Sequence, residues 1–309
     1  MRLARVGPAG HERPVVEAAD GSLFDLSPVT RDIDAAFLGL LTATGGSVVC
    51  DALRSGRLSP VSDGAVARFG PPVTRPGKVV GIGLNYRCHA AAIGAPEPAE
   101  PVVFLKAPTS VCGPGDTVRL IDGSTTTDHE VELAVVVGRV LRRASPGEAL
   151  DAVAGYALAD DLTDRTLQLG GAATWTPGKC ADTYCPLGPW LVLPDAMPAP
   201  DGTGVRLTLA VNGRRRQDGW TDDMVHDVAA CLAHVSSLMT LEPGDVVITG
   251  TPAGVAMAAT EPRPYLRDGD VVEADGGALG RQRSPIAAAR HTVGHETTTK
   301  ESAAWLSTR

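Results

Sequence analysis

The sequence predicts an α+β, β-rich protein whose body is a rolled or sandwiched sheet. From Lys78 onward, short apolar and β-branched runs alternate with Gly, Pro and Asp turns. Only two stretches of that body carry a helical pattern, too few to cover both faces of a doubly wound sheet. The composition, 43% hydrophobic and 21% charged over 309 residues, gives enough chain for a full core and excludes disordered, collagenous and fibrous classes.

In chain order, residues 1–73 mix strand-like pieces (SLFDL, GSVVC) with a short helical stretch near 32–41 and end at Gly70-Pro71-Pro72. They read as a small N-terminal domain. Residues 74–282 form the body. Its expected strands are KVVGIGLNY, PVVFLK, DTVRLI, HEVELAVVVGRV, VAGYALADD, PWLVL, VRLTLAVNG and DVVIT, with helices near 145–154 and 223–239. Residues 283–309 lack an apolar period and read as a mobile tail. No internal repeat is present.

Lys and Arg number 28 against 36 Asp and Glu, a net charge of −8. That balance disfavours nucleic acid and anionic membrane as partners, since both need clustered positive charge. The N-terminus lacks an apolar core of signal-peptide length, and the longest apolar run, around 133–137, is too short to cross a bilayer. A soluble, cytoplasmic protein is expected. Its six cysteines (50, 88, 112, 180, 185, 231) form neither a dense framework nor a CxxC pair and read as reduced thiols. Lysine occurs only at 78, 106, 179 and 300, while arginine is abundant. Each lysine therefore draws notice, because arginine cannot give up its proton for acid/base work.

Gly81-Ile82-Gly83 follows a strand, but Tyr86 stands where a dinucleotide fingerprint needs its third glycine, and neither GxSxG nor a Walker loop occurs. The informative segment is Asp128-His129-Glu130-Val131-Glu132-Leu133. On a strand, Glu130 and Glu132 project from one face while Val131 and Leu133 project from the other. Two adjacent carboxylates are costly to bury unless a cation joins them, and all-oxygen ligation suits Mg²⁺, Mn²⁺ or Ca²⁺. The competing reading is an edge strand with its acidic face in water. About thirty residues on, Asp160-Asp161 ends another strand, and an aspartate there supplies a third carboxylate if the strands are neighbours. Arg165 and Gln168 share a face if a helical turn forms. Lys179, after Pro177-Gly178, reads by itself as a solvated loop charge.

Taken together, GLNY followed by His89, FLK at 104–106, GPGD at 113–116, DHEVELAVVVG, DDLTDRTLQ, GKCADTYCPLGPW, VNG at 211–213 and LEPGDVVITGTPAGV resemble the fumarylacetoacetate hydrolase family, in order over residues 79–280. The resemblance implies a mixed β-sandwich roll, a homodimer, and Mg²⁺ or Mn²⁺ held by Glu130, Glu132 and Asp161. It also implies a catalytic Lys179, an auxiliary acid/base His89 on a lid, and a substrate pocket with Arg165, Gln168, Thr251 and, from the FLK motif, Lys106. Thr251 is expected to help hold a substrate carboxylate. The implied substrates are small 2-oxo or 2,4-dioxo acids, which family members hydrolyse at a C–C bond, decarboxylate or tautomerise. All three reactions pass through an enolate, which a Lewis-acidic ion stabilises.

One departure redirects the functional expectation. Family hydrolases commonly carry a glutamate three residues after the histidine, and the pair activates water; here that position is Ala92. Decarboxylation or keto–enol tautomerisation is therefore favoured. C–C hydrolysis with Glu97 or Glu100 as substitute base is the alternative, and a non-catalytic metal- and ligand-binding protein is the third reading. His129, where the family often has an aromatic residue, and Cys180-Ala181, where it often has Ser-Phe, leave the substrate's identity open.

Overall fold

One strand decides the layering. In Val131–Val137 every residue is buried: Val131, Leu133, Val135 and Val137 face one core, while Ala134 and Val136 face another. A strand dry on both faces belongs inside a sheet. In the computed structural model, which describes residues 1–62, 68–170 and 174–289, it lies between Val153–Asp160 and Val246–Ile248 and is antiparallel to both.

The complete sheet has nine strands, in the order Leu23–Asp25, Arg13–Glu17, Arg2–Val6, Leu191–Val192, Val153–Asp160, Val131–Val137, Val246–Ile248, Val79–Gly83 and Val102–Lys106. It is mixed, since Val246–Ile248 runs parallel to Val79–Gly83. A five-stranded sheet of Arg214–Trp220, Arg206–Val211, Val271–Asp275, Arg281–Ala287 and Val118–Arg119 shares the first core. The helix Val228–Leu238, capped by Asp227 accepting from the Ala230 N–H at 2.7 Å, closes that core. On the opposite face, small residues (Ala134, Ala157, Ala159) let helices Ala35–Thr44 and Ser47–Arg54 pack closely. The β-rich α+β architecture is the one the strand runs predicted.

Four local readings change. The N-terminal residues, read as a small domain, contribute strands to the main sheet, where Arg2–Val6 pairs with Leu191–Val192. GSVVC is not a strand but the start of helix Ser47–Arg54, because helical spacing buries Val49 and Ala52 together. The two body helices are shorter than expected, at Pro146–Leu150 and Val228–Leu238. The last strand, Arg281–Ala287, runs beyond the boundary placed at 282, since Gln282, Ser284 and Ile286 alternate inward; of the expected tail, residues 290–309 lie outside the described residues. Gln282 secures this strand, its Nε2 lying 2.9, 3.1 and 3.1 Å from the carbonyls of Leu158, Pro186 and Gly188.

Gln282→Leu removes a side-chain donor from those buried carbonyls, of which Leu158 keeps the Gly188 N–H, so it should destabilise the protein by about 2 kcal/mol. Urea unfolding should show a lower midpoint with an unchanged slope; an unshifted midpoint would contradict this role.

Candidate active site

The strand register gathers the acidic residues. Ala159 pairs with Glu132 and Asp160 with Val131, and the Asp161 N–H then donates to the Glu130 carbonyl at 2.8 Å. Ligand atoms of Glu130, Glu132 and Asp161 fall within 4.8 Å of one another, all three residues being buried. Because the strand is central, the edge-strand reading does not apply.

Three cations meet this cluster, unevenly. Lys179 Nζ lies 2.7 Å from Glu130 Oε2 and 2.5 Å from Asp161 Oδ2. Arg165 Nη2 lies 2.6 Å from Glu130 Oε1, and Lys106 Nζ lies 2.6 Å from Asp161 Oδ1. Glu132 accepts the Gly250 N–H at 2.7 Å and pairs with no cation among the described residues. At Glu130 burial favours the protonated form, but Arg165 and Lys179 outweigh it and hold that group well below its ordinary pKa. At Glu132 burial acts together with Asp161 and Glu130 and drives the pKa well up. Burial lowers the pKa of the Lys179 ammonium, yet Asp161 and Glu130 more than compensate and keep it charged. A buried carboxylate without a cation, beside two others in an all-oxygen set, fits a hard divalent ion.

The supporting elements are short and specific. Asp164 caps helix Arg165–Leu169 by accepting the Leu167 N–H at 2.8 Å. On that helix Arg165 Nη1 donates to Gln168 Oε1 at 2.9 Å, the shared face that the i, i+3 spacing predicted. Arg165 Nε donates to Asp128 at 2.9 Å, and Asp128 also accepts the N–H groups of Ala256 and Met257 at 2.7 and 3.0 Å. Lys179 ends helix Thr176–Lys179 and lies 4.8 Å from the Phe104 ring centroid, so it is no solvated loop charge.

Two expected substrate residues are placed differently. Lys106 is fully enclosed behind Asp161 and does not form the pocket wall. Thr251 does line the pocket, but its hydroxyl donates to the Val131 carbonyl at 2.9 Å and accepts from Gln217 Nε2 at 2.7 Å. Its single proton is spent, so it offers no side-chain donor to a substrate carboxylate in this conformation.

His89, on helix Arg87–Ala92, also lines the pocket. Its Nδ1 is buried without a hydrogen-bond partner, and burial lowers its pKa below the ordinary imidazole value, leaving it neutral at pH 7. Neither Glu97 nor Glu100 is on the wall. Both are exposed, and Glu97 lies 3.8 Å from Arg87.

Sequence reasoning missed the apolar side of the cavity of about 120 Å³: Ile93, Phe104, Leu169, Trp175 and Met257. A signal existed for Phe104, which shares a strand face with inward-facing Lys106. The Gly81-Ile82-Gly83 pattern serves these rings. A Cβ at Gly81 would lie 2.1 Å from the Phe104 ring, and one at Gly83 would lie 2.0 Å from Trp175.

A family model of the fumarylacetoacetate (FAA) hydrolase C-terminal domain matches residues 78–287, ending with the last strand. The chain is 42% identical over 291 residues, 94% of its length and 98% of the relative's, to 2,4-didehydro-3-deoxy-L-rhamnonate hydrolase of Sphingomonas sp. (strain SKA58). Among solved structures, 5-carboxymethyl-2-hydroxymuconate delta-isomerase from Mycobacterium smegmatis superposes with a TM-score of 0.72 at 30% identity, over 94% of this chain and 100% of that one. Maleylpyruvate hydrolase from Sphingobium sp. SYK-6, in complex with manganese(II) ion and pyruvate, gives 0.73 at 27% identity, over 94% and 100%. Fold, motif order and sequence identity agree: this chain is an enzyme that belongs to the fumarylacetoacetate hydrolase family.

Proposed function

We propose that the protein is a divalent-metal-dependent enzyme that moves protons at the enolate of a small 2-oxo or 2,4-dioxo acid, by tautomerisation or decarboxylation. Glu130, Glu132 and Asp161 would hold Mg²⁺ or Mn²⁺, which would supply Lewis acidity to a bound 2-oxo acid. A neighbouring structure that holds manganese and pyruvate supports this choice of ion and ligand class.

The chain's own groups divide the remaining work. Arg165 occupies the Gln168 amide oxygen, which leaves the Gln168 NH₂ free to donate to a substrate oxygen. In tautomerisation the C3–H proton passes to the neutral His89 imidazole, the electron pair forms the C2–C3 double bond, and negative charge gathers on the C2 oxygen. Lys179, held as an ammonium, steadies that charge or returns the proton. In decarboxylation the C3–C4 bond breaks instead, CO₂ leaves, and C3 is then protonated.

The carrying observation is the unpartnered His89 Nδ1 on a helix that ends at Ala92. Activation of water is favoured by a carboxylate that orients the imidazole and steadies its charged form; accepting a proton from an already acidic C3–H demands less. The identity with a relative named as a hydrolase supports a second reading, C–C cleavage of a 2,4-dioxo acid.

The two readings separate in D₂O. The Mn²⁺-loaded enzyme given a 2,4-dioxo acid should exchange the C3 hydrogen, seen by NMR, much faster than it releases pyruvate. His89→Gln should slow exchange on the order of 10²-fold, and Ala92→Glu should raise cleavage. Rapid cleavage by the unaltered enzyme, lost on changing Glu97 or Glu100, would establish hydrolysis instead.

Metal removal gives an independent check. Glu132's folded pKa is raised above 4.5, so the folded chain keeps a proton that the unfolded chain releases; the metal-free protein therefore loses stability as pH rises from about 4.5 toward the folded value. In EDTA, Glu132→Gln should match the parent near pH 4.5 and exceed it at pH 8 by on the order of 5 °C in Tm. With Mn²⁺ the variant should bind ~10²-fold more weakly and lose the metal-induced rise in Tm. Undiminished Mn²⁺ binding would refute the site.

A further inference from the structure

We infer that the site selects substrates whose far end is short, apolar and uncharged, so that the 2-oxo acid it takes carries one carboxylate. The inference rests on the reading above that a 2-oxo acid binds at the carboxylate cluster. Among the described residues lining the cavity the cations are Arg165 and Lys179, and both are already committed: Arg165 to Asp128, Glu130 and Gln168, Lys179 to Glu130 and Asp161. Their remaining donor capacity lies on the acidic side. The other side is built from Ile93, Phe104, Leu169, Trp175 and Met257, with the Phe104 and Trp175 rings 5.8 Å apart between centroids.

Nearby cations do not serve that wall. Lys106 is sealed behind Asp161, while Arg87 donates to the Met224 carbonyl at 2.6 Å and lies 3.8 Å from Glu97. A second carboxylate pressed against the apolar side would lose its hydration and gain no partner. The cavity is small, about 120 Å³, and suits a compact acid, with Leu169 on its solvent side. Decarboxylation of a 2-oxo diacid places its departing carboxylate at this apolar end, so the same geometry favours tautomerisation of the two reactions proposed.

The test measures binding rather than turnover. Calorimetry on the Mn²⁺-loaded enzyme compares 2-oxopentanoate with 2-oxopentanedioate, equal in chain length and different only in the terminal carboxylate. The monoacid should bind at least tenfold more tightly. Leu169, 64% exposed on the cavity wall, tolerates a charge without unfolding risk. Leu169→Arg should therefore tighten the diacid about tenfold and leave the monoacid within a few-fold. Equal or tighter binding of the diacid by the unaltered enzyme, or no gain in the arginine variant, would overturn the tail assignment alone. If neither acid binds, the 2-oxo-acid reading falls, and this inference falls with it.

Discussion

The arrangement depends on burying carboxylates in the middle of a sheet that is dry on both faces. Four of them, Asp128, Glu130, Glu132 and Asp161, meet three cations, Arg165, Lys106 and Lys179. Asp160 stands beside them with its pKa pushed up to about 7, chiefly by burial. The positive charge is one short, and the shortage falls on Glu132, whose close donor among the described residues is the Gly250 N–H. Desolvating an unpaired carboxylate is among the larger penalties a fold can carry. A divalent ion held at that position, between two other oxygen donors, would relieve the penalty.

From that constraint the surrounding structure follows. Asp128 cannot serve Arg165 alone, because it also receives two backbone N–H groups from the 256–257 turn; it therefore fixes the guanidinium and the Met257 wall together. Gln217 plays the corresponding part on the other side, accepting the Val131 N–H at 3.0 Å and donating to Thr251 and to the Pro252 carbonyl. The five-stranded sheet thus reaches into the site through one buried amide. By contrast, the helix that carries His89 leaves its ring without a hydrogen bond at Nδ1. The pocket is thus tied by hydrogen bonds on its charged side and lacks one at the His89 Nδ1.

Much of this was legible in the sequence because strand parity is a strict rule. Glu130 and Glu132 share a face whatever the tertiary context, and the strand end at Asp160-Asp161 pointed to a third carboxylate, the family resemblance and not parity selecting Asp161. What remained hidden had physical reasons. The strand Arg214–Trp220 reads as a polar run because its outward positions carry arginine and aspartate, while its inward Gln217 is buried through hydrogen bonds rather than apolarity. Thr251 sits in a motif that suggests ligand contact, yet the fate of its one proton depends on Val131 and Gln217, 120 and 34 residues away. The valines of GSVVC favour strand by propensity, and only packing of Val49 and Ala52 against the sheet turns them into a helix.

The scarcity of lysine has a structural counterpart. In a chain that writes most of its basic positions as arginine, the three lysines among the described residues all pair with buried aspartates: Lys78 with Asp245 at 2.5 Å, Lys106 with Asp161 at 2.6 Å, and Lys179 with Asp161 at 2.5 Å. Arginine's planar fork suits Arg165, which must span Asp128, Glu130 and Gln168 at once. Lys179 Nζ bridges Glu130 and Asp161 at 2.7 and 2.5 Å, a gap that a branched guanidinium would crowd. A compact ammonium therefore suits position 179 as the planar fork suits position 165, although both side chains carry one positive charge.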